Sequence, residues 1–190
     1  MSVFVAEELS DLLNTRVTIG RINIGLLNRI IIDDVLLDDQ SGQEMLKVTR
    51  LSAKFDIMPF FKGKISISSV QLFGFNINLQ KKTPDSPPNF KFVLDAFASN
   101  DTVKKDNSLD LRINSILIRR GRMSYHVLSE EETPGKFNAK HIQLQNIIAN
   151  ISLKALSKDS LNLGIKRLSL DEKASGFSLK KMSLKLVANN

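Results

Sequence analysis

Cysteine and tryptophan are both missing from this 190-residue chain, tyrosine occurs once and histidine only twice. The missing thiols exclude disulfides, thiolate metal sites and cysteine nucleophiles, and they leave the redox compartment open. No run of about 18 apolar residues occurs, so no stretch reads as a membrane-spanning helix. Met1 to Ala6 has neither a charged n-region nor a cleavage site, so no signal peptide is visible. If the native protein is anchored in a membrane, the anchor is expected upstream. Gly-rich phosphate loops, a G-x-S-x-G elbow and an H-E-x-x-H helix are also missing, which weighs against an enzyme.

What is present is an ordinary folding composition. Hydrophobic residues make up 42% and charged residues 25%, which excludes a disordered chain. Eleven phenylalanines and many Ile, Leu and Val side chains suit a pleated, half-buried surface. Basic residues exceed acidic ones, 27 to 20, but they are scattered, with Lys62, Arg119, Lys140, Lys166 and Lys180 in different segments and no dense block. Only Phe73, Phe75 and Tyr125 could stack on bases nearby, so the charge reads as solvated surface and no nucleic-acid partner is expected.

Val5, Ala6, Leu9, Leu12 and Leu13 share one face at helical spacing, which predicts a short amphipathic helix over residues 1–14. Beyond it a different pattern recurs seven times: apolar, any, apolar, two mostly polar residues, apolar, any, apolar. It reads Val17, Ile19, Ile22, Ile24; then Leu46, Val48, Leu51, Ala53; then Ile65, Ile67, Val70, Leu72. It returns in Leu111, Ile113, Ile116, Ile118; in Ile142, Leu144, Ile147, Ala149; in Leu163, Ile165, Leu168, Leu170; and in Phe177, Leu179, Met182, Leu184. Each half alternates with the period of a strand. The paired break (Gly20-Arg21, Ser68-Ser69, Asn114-Ser115) shifts the apolar parity, and a bulge or sharp bend restores one apolar face. The breaks mostly lack hairpin-turn chemistry. Long strands kinked midway are therefore expected. Lys81 to Pro88, Asn100 to Asn107 and Ser129 to Gly135 read as loops, and Phe90 to Phe97 as a brief strand or helical turn.

Candidate chemistry is thin. His126 and His141 lack a third metal ligand at sensible spacing and read as ordinary strand histidines. Asp33-Asp34 and Asp38-Asp39 read as turn-forming, solvated residues rather than a general acid/base pair, and Glu130 to Glu132 as a charged loop tip. The apolar stripes remain. By pattern alone a closed β-sandwich core is favoured over an open trough.

Several stretches bear on that choice. Leu9 to Ile24, with its helix running into Val17-Thr18-Ile19-Gly20-Arg21-Ile22, resembles the start of the periplasmic body of AsmA/TamB-like envelope proteins. Ile32 to Gly42 is similar to that family's "I-x-[DN]-V-x-[IL]-x-D-x-x-G" strand and turn, and Gly63 to Leu72 to the strand preceding its short Asn-Phe segment, here Asn89 to Phe97. Leu168 to Met182, with Ser175-Gly176-Phe177, resembles the form expected in Bacteroidetes-type bacteria.

The resemblance covers nearly the whole chain and implies one segment, 1–190, of a longer body. It implies a mainly β fold, in which long bent antiparallel strands form an open, taco-like curved sheet behind the N-terminal helix. It favours the open trough, lined by Ile65, Ile67, Val70, Leu72, Ile113, Ile116, Ile118, Leu144 and Ile147. The implied partners are phospholipid acyl chains, an outer-membrane assembly protein of the Omp85 type and the remainder of the same chain. The implied setting is the periplasm, with an inner-membrane anchor upstream, and the implied role is phospholipid transfer or outer-membrane biogenesis without catalysis. No cofactor and no metal are expected. A strand-accepting module for outer-membrane protein assembly is the alternative.

Overall fold

A computed structural model describes residues 2–26, 28–55, 65–99, 109–110, 114–156 and 160–189, with backbone alone at 55, 65–67, 97–99, 109–110, 153–156, 160–161 and 188–189. Helix α1 (Ser2–Leu13) stops where Asn14 takes a left-handed conformation, φ 48°, and the Thr15 amide bonds back to the Ser10 carbonyl at 3.1 Å. Its buried stripe is Ala6 and Leu13, flanked by partly buried Val5 and Leu9. Leu12, expected on the same stripe, is instead exposed.

Nine strands follow among the described residues: β1 (Val17–Gly25), β2 (Arg29–Asp38), β3 (Glu44–Phe55), β4 (Ile65–Lys81), β5 (Leu109–Asp110), β6 (Ser115–Val127), β7 (His141–Leu156), β8 (Ser160–Glu172) and β9 (Ser178–Asn189). Helix α2 (Lys91–Ser99) lies between β4 and β5, so the Phe90 to Phe97 stretch resolves as a helix. The fold is mainly β, and its sheet is open and curved. Its strand order is β1-β2-β3-β4-β6-β7-β8-β9, with the two-residue β5 also pairing with β4.

Seven adjacent pairs form the main sheet, and six of them are antiparallel. The pairing of β4 with β6 is parallel, which corrects the all-antiparallel expectation. The cause is the connection: after β4 the chain passes through α2 before β6 begins, and a crossover of that length lets neighbouring strands run in the same direction.

The parity breaks are the main structural feature of the sheet. At Gly20-Arg21, Thr49-Arg50 and Gln145-Asn146 the strand continues through the break, as a bulge or bend requires and a turn does not. The pairings align these breaks from strand to strand. Gly20 stands opposite Asp34, Asp34 opposite Thr49, Thr49 opposite Gly74 and Gly74 beside Arg120; Asn146 continues the row in β7. Four of these residues have left-handed backbones: Asp34 (φ 56°), Gly74 (φ 65°), Arg120 (φ 55°) and Asn146 (φ 54°). Such a residue consumes one position without spending a pleat, so the apolar residues before and after it emerge on the same side. Gly74 has a second reason to lack a side chain, since a Cβ there would meet Thr49 Oγ1 at 2.6 Å. The row is a crease running across the strands.

Two expected breaks fall elsewhere. The Ser68-Ser69 irregularity is real, because pairing slips between Lys54-Ser69 and Phe55-Ile67, but it is a second bulge away from the crease. The Asn114-Ser115 break lies at the start of β6, and the first half of that copy, including Ile113, lies outside the described residues.

The acidic pairs also differ from expectation. Asp33 is a buried mid-strand residue rather than a solvated turn, and Arg50 donates to its two oxygens at 2.6 and 3.2 Å. That Arg50 hydrogen bond is the main reason the Asp33 carboxyl sits below its ordinary range. Asp38 and Asp39 do flank the β2–β3 turn, but both are buried.

Candidate functional site: an apolar furrow lidded at one end

One face of the sheet carries the apolar stripes from both sides of the crease. Val48, Phe75 and Ile147 are buried together, and Leu72, Ile118, Met123, Leu144 and Leu170 pack around them, partly exposed. Phe75 crosses the neighbouring strand: a Cβ on Gly121 would sit 2.3 Å from its ring and 3.1 Å from Ile147 Cβ. Glycine at 121 is thus what lets an aromatic from β4 reach a side chain on β7. None of the residues packed in this cluster comes from a helix. A flat single layer could not hide Val48 to 4% exposure, so the two halves lean toward each other over the crease.

Of the nine residues expected to line this face, Leu72, Ile118, Leu144 and Ile147 are brought together in the cluster. Val70 and Ile116 are direct partners across β4 and β6 and continue its stripe, partly buried. Ile65 and Ile67 lie on β4 with only their backbone described, and Ile113 lies outside the described residues. The residue that organises the floor, Phe75, was not among them. The stripe containing it begins after a second parity break at Gly74, beyond the end of the copy recognised in the sequence.

The ends of the furrow differ. At one end α1 and α2 lie over the apolar face, burying Val17, Ile19, Leu37 and Met45 with Phe90, Phe92 and Val93. At the other end no helix among the described residues covers the face, and its edge strands are the most exposed: Ile24 of β1 is 81% exposed and Leu184 and Leu186 of β9 48% and 44%, with Val70 and Ile116 between them partly buried. Along β1 alone the inner residues pass from buried at Val17 and Ile19 to almost fully exposed at Ile24.

Asp39 holds the lid. Its Oδ1 accepts from the Ser41 amide at 2.8 Å, the Ser41 hydroxyl at 2.5 Å and the Gln43 amide at 3.2 Å. Its Oδ2 accepts from Gln80 and Asn89, each at 3.3 Å. Asn89 lies two residues before α2, while the Thr15 hydroxyl after α1 donates to the carbonyls of Asp38 and Asp39. Burial pushes the Asp39 carboxyl upward, but the bonds from Ser41, Gln43 and Asn89 outweigh it and leave the group below its ordinary value.

The opposite face is polar and basic. A depression of about 450 Å³ is lined by Lys47, Thr49, Asn76, Arg120, Arg122 and Asn146, and one of about 580 Å³ by Arg50, Gln71, Phe73 and Arg119. The Arg120 guanidinium stacks 5.1 Å from the Phe73 ring centre. These depressions belong to the polar side of the crease; the apolar side is a furrow floored by Val48, Phe75 and Ile147.

The two histidines also prove to be partners. His126 and His141 face each other across β6 and β7, and Glu132 from the connecting loop comes alongside, supplying the third ligand type that linear spacing hid. No helix among the described residues is long and apolar enough to cross a membrane. The fold and site together define an open, curved β-sheet with one lidded apolar face. No protein-family model and no curated protein matches the chain, so the geometry carries the functional reading.

Proposed function

We propose that this chain is a non-enzymatic segment of an AsmA/TamB-like periplasmic bridge, whose apolar furrow takes phospholipid acyl chains in transit between membranes. The observation that carries the reading is the contrast between the ends of one continuous apolar face, covered by helices at Val17 and left open at Ile24, Leu184 and Leu186. An acyl chain laid along the open part gains about 0.8 kcal/mol for each methylene removed from water. Headgroups would stay at the rim in solvent. Recognition would then be weakly selective among lipids of similar chain length.

A photoreactive side chain placed at Ile116, Leu144 or Leu184, with Gln71 and Lys166 on the polar face as controls, tests this directly. Phospholipid adducts from the apolar positions alone are expected. Equal labelling from both faces, or none from either, rejects the acyl-chain reading.

A second reading has its own support. Among the described residues β9 pairs only with β8, and it exposes Leu184, Leu186 and Val187. Such an edge can accept a strand from an Omp85-type assembly protein or from the remainder of the same chain. Lys185→Pro should abolish association through that edge while leaving lipid labelling at Ile116 intact.

A further inference from the structure

We infer that His126, His141 and Glu132 form a binding site for a borderline divalent metal ion, best matched by Zn²⁺, which fastens the 128–140 loop to the ends of β6 and β7. This site lies apart from the furrow's apolar cluster and shares no residue with it.

A neutral imidazole carries one N–H and one lone pair. His141 is buried, and its Nε2 lies 2.9 Å from the backbone carbonyl of Glu130, which can only accept. Nε2 therefore bears the hydrogen, and Nδ1 is left with its lone pair directed away from that carbonyl. At 3.1 Å from this Nδ1 stands the Nδ1 of His126. Two nitrogens each about 2.0–2.1 Å from a tetrahedral ion lie roughly 3.3 Å apart, so the spacing suits two lone pairs converging on one metal. The rings are tilted 55° to each other with centroids 5.3 Å apart, so they are not stacked.

The third ligand is in place. Glu132 Oε1 lies 3.9 Å from His126 Nδ1, and all three ligand atoms fall within 4.8 Å of one another. The Glu132 side chain is 65% exposed and free to swing the short distance to an ion. Beside it is a depression of about 230 Å³ lined by Thr133, Pro134, Asn138, Gln143 and Lys173, which leaves room for a water as fourth ligand. Two imidazoles and one carboxylate favour Zn²⁺ and its first-row neighbours, whereas Mg²⁺ and Ca²⁺ prefer oxygen ligands throughout.

The outer contacts fit the same role. The Glu130 carbonyl that orients His141 belongs to a residue whose carboxylate is held by Lys140 at 2.6 Å. The loop is further closed by Asn138, which donates to the Glu131 carbonyl and accepts from the Lys140 amide. A metal here would join the loop tip to both strands at once.

Titration of the full chain, stripped with a chelator, with ZnCl2 and in parallel with MgCl2 tests the site. One zinc per chain is expected at micromolar affinity or tighter, with magnesium at least 100-fold weaker. His126→Ala should weaken zinc at least 100-fold and Glu132→Gln at least 10-fold. Co²⁺ should give the intense visible bands of a tetrahedral centre, lost in His126→Ala. Circular dichroism of each variant shows whether it has folded, and since both altered side chains are partly exposed, folded variants are expected. Absence of saturable zinc uptake would mean a simple Nδ1–H to Nδ1 histidine pair and overturn the inference. Unchanged affinity in either variant, or equal affinity for magnesium, would overturn it as well.

Discussion

Removing the Asp39 carboxylate should loosen the lid without dissolving the sheet. In Asp39→Ala five donors lose their acceptor: the amides of Ser41 and Gln43, the Ser41 hydroxyl, and the side-chain amides of Gln80 and Asn89. A hydrogen bond to a charged group contributes about 1.5–3 kcal/mol, and stranding a buried donor costs a similar amount. The three side-chain donors can turn toward water, whereas the two turn amides are fixed. The expected loss is therefore about 2–4 kcal/mol. Asp39→Asn keeps one acceptor oxygen and should lose about half as much. The pH dependence has a definite sign. The folded carboxyl is held below its ordinary value, so its contribution is fully present above about pH 3.9 and is lost as the pH falls through the lower folded value. Urea unfolding followed by far-ultraviolet circular dichroism gives the stability, and hydrogen exchange in α1 and α2 reports the lid itself. Faster exchange is expected there before any change in β6 to β8. An Asp39→Ala protein within 0.5 kcal/mol of the parent at pH 7, with unchanged exchange in the helices, would refute the reasoning.

Three further outcomes follow from the sheet. Burial opposes ionisation of Glu172, but Ser175, through its hydroxyl and amide, and the amides of Ala174 and Gln143 prevail and hold its pKa down to about 2. The drop from 4.5 corresponds to about 3 kcal/mol, and screening at this strand end brings it nearer 2. Glu172→Gln should lose that stability at pH 7, and the difference from the parent should shrink as the pH falls from 4.5 toward 2. Gly121→Ala forces the Phe75 ring aside and should destabilise by about 1–3 kcal/mol; Phe75→Leu in the same chain should recover part of it, as a double-mutant cycle would show. At the crease, Asp34→Gly should leave the melting temperature unchanged or raise it, because glycine accepts the left-handed backbone freely. Asp34→Val should lower stability by about 1–2 kcal/mol, since a branched side chain resists φ near 56°.

Much of the architecture could be read from residue spacing, because curvature here is written as a parity break that survives in the linear pattern. Val17-Ile19-Ile22-Ile24 and Leu46-Val48-Leu51-Ala53 locate the crease in β1 and β3 to the residue. In β4 the pattern reading stopped at the neighbouring bulge instead, and in β6 at the first residue of the strand. The slot after the crease in β6 is filled by Gly121, which does not register as apolar, and the Phe75 that fills the gap comes from another strand. The parallel join was hidden because strand direction depends on the crossover through α2 rather than on alternation. Asp33 looked like a turn residue until Arg50, 17 positions away, proved to be its cross-strand partner. The histidine pair was invisible for the same reason: only pairing register places His126 opposite His141.

The alignment of the left-handed residues has a consequence for growth. Because four of the strands, β2, β4, β6 and β7, bring a bending residue to the same crease, the cross-section is set locally and not by closure of the ends. A duplicated hairpin carrying that one residue in phase could join the β9 edge and prolong the gutter at constant width. Length could then evolve by copying, with the bore unchanged.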